Sequence, residues 1–151
     1  MAKKLLIVDD NAGSSELYQI RFETSKWEVS VAYSGEKALE LLKTDYHPDA
    51  ILLDLMLPGI QGDNLLKILR QDQKNNDIAI IILTAVSFNP RGQEEVERIA
   101  KLADDYLLKI EVTPGEIVKR VTELVKKKQA KKWSGILRKK LTKYRFKGKN
   151  N

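Results

Sequence analysis

The sequence contains no cysteine and no long hydrophobic run, and these two absences exclude several classes of protein. Without cysteine there can be no disulfide framework and no thiolate ligand for a structural zinc site, which fits a reducing compartment. The apolar run Leu5–Val8 is too short for a signal peptide, and no stretch approaches the roughly 18 apolar residues of a membrane-spanning helix. These features predict a soluble, cytoplasmic protein.

Glycine-rich phosphate-binding motifs are also missing. Neither GxGxxG nor GxxxxGK[ST] occurs, which disfavours the common dinucleotide-binding and P-loop functions. We interpret Gly13, Gly59 and Gly62 as turn residues rather than as parts of a nucleotide-binding loop.

Acidic residues are absent from the last part of the chain, and this divides the sequence in two. Residues 126–151 carry 12 of the 27 Lys/Arg residues and no Asp or Glu. Residues 1–125 carry the other 15 against all 21 Asp/Glu, so the net charge of +6 combines a −6 domain with a +12 tail. We therefore expect a domain over residues 1–126 and a basic, amphipathic helical tail over residues 127–151.

Apolar, β-branched runs alternate with segments of helical periodicity along the domain. The predicted strands are Leu5–Val8, Val29–Ala32, Asp49–Leu53, Ile78–Leu83 and Tyr106–Leu108. The predicted helices cover residues 12–25, a segment opened by Ser34-Gly35-Glu36, a segment marked by Leu65, Leu66 and Leu69, residues 94–102, and a segment that begins at Thr113-Pro114. Strands joined by helical crossovers predict an α/β fold, with a doubly wound parallel sheet covered by helices on both faces.

Polar side chains follow four of the predicted strands. Asp9 and Asp10 follow the first strand, Asp54 the third, Thr84 the fourth and Lys109 the fifth. Because parallel strands end at the same edge of a sheet, we expect three carboxylates, a hydroxyl and an ammonium group to converge there. Clustered carboxylates repel one another unless a cation neutralises them, and oxygen ligands without histidine or cysteine suit Mg²⁺.

Such a cluster can support phosphoryl transfer. A carboxylate beside Mg²⁺ can act as a nucleophile and form an acyl phosphate. Asp54 is the preferred acceptor because it ends the third strand, and Pro58-Gly59 then carries the chain away and leaves the site open. Lys109 and Thr84 would offset the charge on the phosphoryl oxygens.

The segment Asp54–Gly62, with the sequence DLMLPGIQG, resembles the phosphoacceptor loop of the receiver domains of two-component response regulators. Ile82–Ala85 resembles the switch-threonine segment of that family, and Ala103–Lys109 resembles its fifth strand. The similarity covers residues 3 to about 126. It implies a flavodoxin-like (βα)5 fold with the strand order 2-1-3-4-5.

The resemblance also implies roles for individual residues. Asp54 would be the phosphoacceptor, Thr84 and Lys109 would bind the phosphoryl group, and Thr84 and Tyr106 would act as switch residues. The implied Mg²⁺ ligands are Asp9, Asp10, Asp54 and the backbone carbonyl of Met56.

Two positions bear on how far the resemblance extends. Ile110 stands where the family usually has a proline, which often follows a cis peptide bond. A cis peptide bond before a residue other than proline costs about 2.5–4 kcal/mol. We therefore expect a trans Lys109–Ile110 bond and a rearranged loop after it.

Met56 argues against a phosphatase of the haloacid dehalogenase type, which needs a second acid two residues after its nucleophile. The chain would catalyse only its own phosphoryl transfer and autodephosphorylation.

The function implied is that of a phosphoacceptor response regulator in a two-component phosphorelay. The protein would take a phosphoryl group from a histidine kinase or phosphotransfer protein and signal to a downstream protein by a conformational change. The output surface would lie at about residues 91–127, and phosphorylation could also drive dimerisation.

The tail has an apolar stripe at helical spacing, with cations on the opposite face of the helix. The basic residues of the tail include Lys139 and Lys140. The stripe consists of Trp133, Ile136, Leu137, Leu141 and Tyr144. Three interpretations compete: a soluble extension, a helix at an anionic membrane surface, and a nucleic-acid-binding segment. The last two would make the tail the effector. In addition, the +12 tail could fold back on the −6 domain and respond to phosphorylation.

Overall fold

The computed structural model describes the backbone of residues 1–85 and 93–148 and the side chains of residues 1–85 and 94–143. Its strands are β1 (Lys4–Val8), β2 (Glu28–Ala32), β3 (Ala50–Leu53), β4 (Ala79–Thr84) and β5 (Asp105–Leu108). Its helices are α1 (Ala12–Thr24), α2 (Gly35–Leu42), α3 (Gly62–Gln71), α4 (Gln93–Leu102) and α5 (Pro114–Gly148). A short 3₁₀ turn at Gln73–Asn75, which the periodicity did not predict, precedes β4.

The five strands form one parallel sheet in the order β2-β1-β3-β4-β5. This confirms the flavodoxin-like arrangement expected from the sequence. In the register of the sheet, Val8 pairs with Leu53, and Thr84 pairs with Leu108. The polar residues that follow these strands are therefore brought to the same edge of the sheet.

Apolar side chains alternate between the two faces of the sheet, as the two-residue period of a strand requires. In β1, Leu6 and Val8 pack in a cluster with residues of α2, α3 and α4. Leu5 and Ile7 pack in a second cluster with residues of α1 and α5. All four side chains are at most 1% exposed, so β1 is buried on both faces, as the uninterrupted apolar run predicted.

Helix α5 begins with the predicted cap and continues through the whole described part of the tail. The Thr113 hydroxyl accepts a hydrogen bond from the Glu116 amide, and the Glu116 carboxylate accepts one from the Thr113 amide. The helix then runs unbroken for 35 residues to Gly148. Its apolar stripe on the domain ends at Val125, and residues 129–143 are all exposed.

No helix among residues 1–85 and 93–148 is both long enough and apolar enough to cross a bilayer.

The edge of the sheet opposite the predicted site is tied together by Arg70. Its guanidinium group lies 2.9 Å from Oδ2 of Asp104 and donates hydrogen bonds to three backbone carbonyls, those of Leu102, Asn75 and Ile78. Asp104 also accepts a hydrogen bond from the Ile80 amide and lies 3.2 Å from the Lys128 ammonium. This network connects α3, β4, β5 and α5.

We expect Arg70→Met to lower the free energy of unfolding by about 2–4 kcal/mol, because it removes a charged, partly buried donor from the Asp104 carboxylate and from three carbonyls. Urea denaturation measures the change. The matched control is Arg98→Met, since Arg98 is 63% exposed and its ion pairs with described residues are to Glu94 and Glu95 of its own helix. The control should change stability by less than about 0.5 kcal/mol. Equal losses in the two variants would contradict this account of Arg70.

Candidate functional site

The ends of four strands bring the predicted polar residues to one edge of the sheet. The Asp54 amide donates to the carbonyl of Val8, which places the ends of β1 and β3 side by side. The Lys109 amide donates to the carbonyl of Thr84, which does the same for β4 and β5. The convergence expected from the sequence is therefore present in the structure.

Asp9, Asp10 and Asp54 form an acidic cluster in which one carboxylate oxygen from each lies within 4.8 Å of the others. Asp9 and Asp54 are buried, whereas Asp10 is exposed. One oxygen of Asp9 accepts a hydrogen bond from the Asn11 amide at 2.9 Å, and one oxygen of Asp54 accepts from the Met56 amide at 3.0 Å. These backbone contacts fix the two buried carboxylates at adjacent positions.

Lys109 places its ammonium group between the two buried carboxylates. Its Nζ lies 2.7 Å from Oδ2 of Asp9 and 3.3 Å from Oδ2 of Asp54. The described residues contain no cis peptide bond, so the predicted trans Lys109–Ile110 bond is confirmed. Ile110 therefore does not prevent the lysine from reaching the site. The rearrangement expected of the loop after Ile110 stays a prediction.

Burial and the neighbouring charges shift the pKa values of these groups. Burial raises the pKa of Asp54, and the nearby charge of Asp9 adds to this, while the Met56 amide and Lys109 oppose it. Burial alone would lower the pKa of Lys109, but Asp9 and Asp54 outweigh it and the pKa is raised. Lys109 is thus held in its charged form, while burial and the charge of Asp9 both oppose the ionisation of Asp54.

The loop between β3 and α3 is held close to the acidic cluster. Gly59 has a positive φ of 69°, and the neighbouring Ile60 amide donates to a carboxylate oxygen of Glu36 at 2.9 Å. A Cβ added at Gly62 would overlap with the backbone carbonyl of Asp54. Gly62 is therefore more than the turn residue expected from the sequence, because it lets α3 begin directly against the Asp54 backbone.

Thr84 and Tyr106 lie on the two neighbouring strands beside the cluster. Thr84 is fully buried at the end of β4. Tyr106 pairs with Ile82 and is partly buried, and burial raises its pKa, with a further contribution from the charge of Asp54. Tyr106 is therefore close enough to Asp54 for that charge to affect its pKa, and Thr84 ends the strand that neighbours β3. A switching movement of either residue stays a prediction.

Two residues of the site were not identified from the sequence. Tyr18 in α1 is buried, and its pKa is raised by burial and by the charges of Asp9 and Asp54, against the effect of Lys109. Its helical spacing from Phe22 indicated only a core residue. Asn11 caps α1 by accepting from the Ser14 amide and also donates its own amide to Asp9. The preference of asparagine for helix N-caps was the signal that could have indicated it.

The predicted tail residues lie away from this site. Trp133, Leu137 and Leu141 are exposed on the extension of α5, as are Lys139 and Lys140. The Tyr144 side chain and residues 149–151 lie outside the described residues.

A comparison with protein families decides the classification of the chain. The family profile of the response regulator receiver domain matches residues 5–122. The chain belongs to the response-regulator receiver family. The match covers β2 to β5, all of β1 except Lys4, and all the predicted site residues of the domain.

The chain is similar to several curated response regulators. It is 35% identical over 138 residues to the "DNA-binding dual master transcriptional regulator RpaA" of Synechocystis, covering 89% of this chain and 55% of that protein. It is 36% identical over 132 residues to the "Alkaline phosphatase synthesis transcriptional regulatory protein PhoP" of Bacillus subtilis, covering 85% of this chain and 51% of that protein. The chain thus spans about half the length of the curated relatives it matches.

Solved receiver structures share the fold. The receiver domain of the Francisella response regulator 1452 is 34% identical, with a TM-score of 0.70 over 83% of this chain and 98% of that one. The response regulator TrrA of Thermotoga maritima is 30% identical, with a TM-score of 0.68 over 81% of this chain and 98% of that one. TrrA was solved in complex with Mg²⁺ and a beryllium fluoride.

The buried position of Asp54 predicts that its charge costs stability. A carboxyl group whose pKa is higher in the folded than in the unfolded chain binds its proton more tightly when folded. Its ionisation therefore weakens folding as pH rises above the unfolded value of about 3.9. In metal-free buffer at pH 7, Asp54→Asn should stabilise the protein by about 1 kcal/mol, or about 2–4 °C in Tm.

Thermal unfolding in EDTA from pH 4 to pH 7 measures this effect, and the stabilisation should shrink towards pH 4. Asp45→Asn is the matched control, because Asp45 is exposed in a loop. A loss of stability in Asp54→Asn at pH 7, or a gain that does not vary with pH, would contradict the explanation.

Proposed function

We propose that the chain is a phosphoacceptor response regulator, in which Asp54 receives a phosphoryl group from a histidine kinase or a phosphotransfer protein. The observation that carries this proposal is the position of Lys109, whose ammonium lies 3.3 Å from Oδ2 of Asp54 and 2.7 Å from Oδ2 of Asp9. The protein would act in the cytoplasm. It would catalyse only its own phosphoryl transfer and autodephosphorylation, with no turnover of a separate substrate.

The donor set fits Mg²⁺. Asp9, Asp10 and Asp54 supply carboxylate oxygens from one small cluster, and no nitrogen or sulfur ligand accompanies them among the described residues. The similarity to TrrA, which was solved with Mg²⁺ and a beryllium fluoride, supports the same assignment. Mg²⁺ would neutralise charge on the carboxylates and on the incoming phosphoryl group. The carbonyl of Met56 is the proposed fourth protein ligand.

In the proposed reaction, a carboxylate oxygen of Asp54 forms a bond to phosphorus as the bond from phosphorus to the donor histidine nitrogen breaks. The imidazole leaves and the phosphoryl group is held as an acyl phosphate. Lys109 offsets negative charge on a phosphoryl oxygen, and its raised pKa keeps it charged for this purpose. The Thr84 hydroxyl donates to another phosphoryl oxygen.

The output surface is proposed to lie at about residues 91–127, which includes α4, β5 and the first part of α5; residues 91 and 92 fall outside the described part. Tyr106 lies in β5, and the charge of Asp54 contributes to the raised pKa of its hydroxyl group. This proximity supports the role of Tyr106 as the residue that reports phosphorylation to the output surface. The downstream partner would be a protein. A phosphorylation-dependent dimer through the same surface is a second output.

The alternative in which phosphorylation makes the tail the effector is not favoured. The family match ends at residue 122, and the relatives support the receiver function alone. The fold-back interpretation is also not supported, because residues 129–143 are exposed and, among the tail side chains that the structure describes, only those of Lys128 and Lys132 contact domain carboxylates.

Intact-mass measurement after incubation with Mg²⁺ and acetyl phosphate tests the proposed acceptor. The wild type should gain one phosphoryl group, and Asp54→Asn should gain none. Asp45→Asn, which changes an exposed carboxylate, should be labelled like the wild type. Equal labelling of Asp54→Asn would show that the acceptor is another residue.

The role of Lys109 has its own test. We expect Lys109→Met to be phosphorylated about a hundredfold more slowly, because it removes a charged donor from the phosphoryl group. The rate of labelling by acetyl phosphate measures the effect. Lys119→Met, on the exposed side of α5, is the control and should keep the wild-type rate. An unchanged rate in Lys109→Met would remove Lys109 from the mechanism.

A further inference from the structure

The part of α5 beyond the domain presents a row of large apolar side chains to solvent. Trp133 is 64% exposed, Leu137 55% and Leu141 64%, and Ile136 beside them is 37% exposed. They recur at three- and four-residue spacing along residues 129–143, which as a helix span about 22 Å. No described residue of the domain covers this row.

The apolar row faces away from the domain. Lys128 binds Asp104 and Lys132 binds Asp77, so the side of the helix that carries these two lysines is directed to the domain. Helical spacing places Trp133, Leu137 and Leu141 roughly on the opposite side. The ion pairs therefore hold the helix with its apolar side outward.

The charge of the segment restricts what can cover this row. Residues 126–151 carry 12 Lys/Arg and no Asp or Glu. A second copy of the same helix would bring two strongly positive segments together, which opposes association. A nucleic acid would match the cations but would leave the apolar side chains in water. An anionic lipid surface matches both, because it accepts apolar side chains below its headgroups and attracts lysine and arginine at them.

We propose that the extension of α5 docks on the surface of an anionic lipid bilayer, with Trp133, Leu137 and Leu141 inserted among the acyl chains. Lys140 and Arg138 flank this row on its two sides and contact the headgroups. Docking does not depend on phosphorylation, because the apolar row extends from the edge of the sheet opposite Asp54.

The two tryptophans make the docking directly measurable. Trp27 is 6% exposed in the core against Phe22, whereas Trp133 is 64% exposed. A blue shift of the fluorescence on adding vesicles therefore reports the environment of Trp133. The full chain is titrated with vesicles of phosphatidylcholine alone and of phosphatidylcholine with phosphatidylglycerol, and binding is also followed by cosedimentation.

The wild type should bind the anionic vesicles with a blue shift and bind the neutral vesicles at least about tenfold more weakly. The double variant Leu137→Ser/Leu141→Ser should partition into the vesicles at least about tenfold more weakly, because it removes the apolar area that inserts into the bilayer and leaves the charge unchanged. Arg138→Gln/Lys140→Gln should lose about thirtyfold on anionic vesicles. Leu17→Ser/Ile20→Ser, which changes exposed apolar residues of α1, is the matched control and should bind like the wild type.

Several results would overturn the proposal. One is that Leu137→Ser/Leu141→Ser partitions into anionic vesicles like the wild type, and another is that the wild type binds neutral and anionic vesicles equally. A third is that duplex DNA displaces the protein from the vesicles. A stable dimer in size-exclusion chromatography that the leucine substitutions abolish would assign the row to a second copy. Asp54→Asn should bind vesicles like the wild type, so a failure of the phosphoacceptor proposal is distinguishable from a failure of docking.

Discussion

Asp9 and Asp54 are buried side by side, and the rest of the site is arranged around the repulsion between their charges. The parallel sheet sets this arrangement, because the pairing of Val8 with Leu53 leaves the next residue of each strand adjacent at the same edge. Backbone amides hold one oxygen of each carboxylate, and Lys109 lies between the others. Because the carboxylates of the site outnumber its one ammonium group, the site attracts further positive charge, and a divalent cation fits it for this reason.

Helix α5 connects the two edges of the sheet. It begins after Lys109 at the edge that carries the acidic cluster, and it passes Asp104 and Asp77 at the opposite edge. Because Lys128 and Lys132 bind these two carboxylates, the helix leaves the domain in a fixed orientation. The direction of the exposed apolar row therefore depends on contacts made by the domain, and not on the tail sequence alone.

Most of the fold could be predicted from the sequence, since apolar periodicity reports local structure and a parallel βα alternation has few solutions. The strand ends fell within a residue or two of their predicted places, and this was sufficient to identify Asp54 and Lys109 as neighbours. Ile110 raised the question of where Lys109 would lie. A trans bond and a direct contact to Asp9 answered it, because the lysine side chain is long enough to reach the cluster.

The sequence by itself determined the order of the elements and the chemistry at the carboxyl edge, because both follow from short-range patterns and from the common direction of parallel strands. Only the tertiary structure decided that Tyr18 lies near the buried charges, that Gly62 must be free of a side chain, and that α5 continues into the tail with its apolar side outward. These features depend on contacts between residues far apart in the chain, and the periodicity of a single segment carries no information about them.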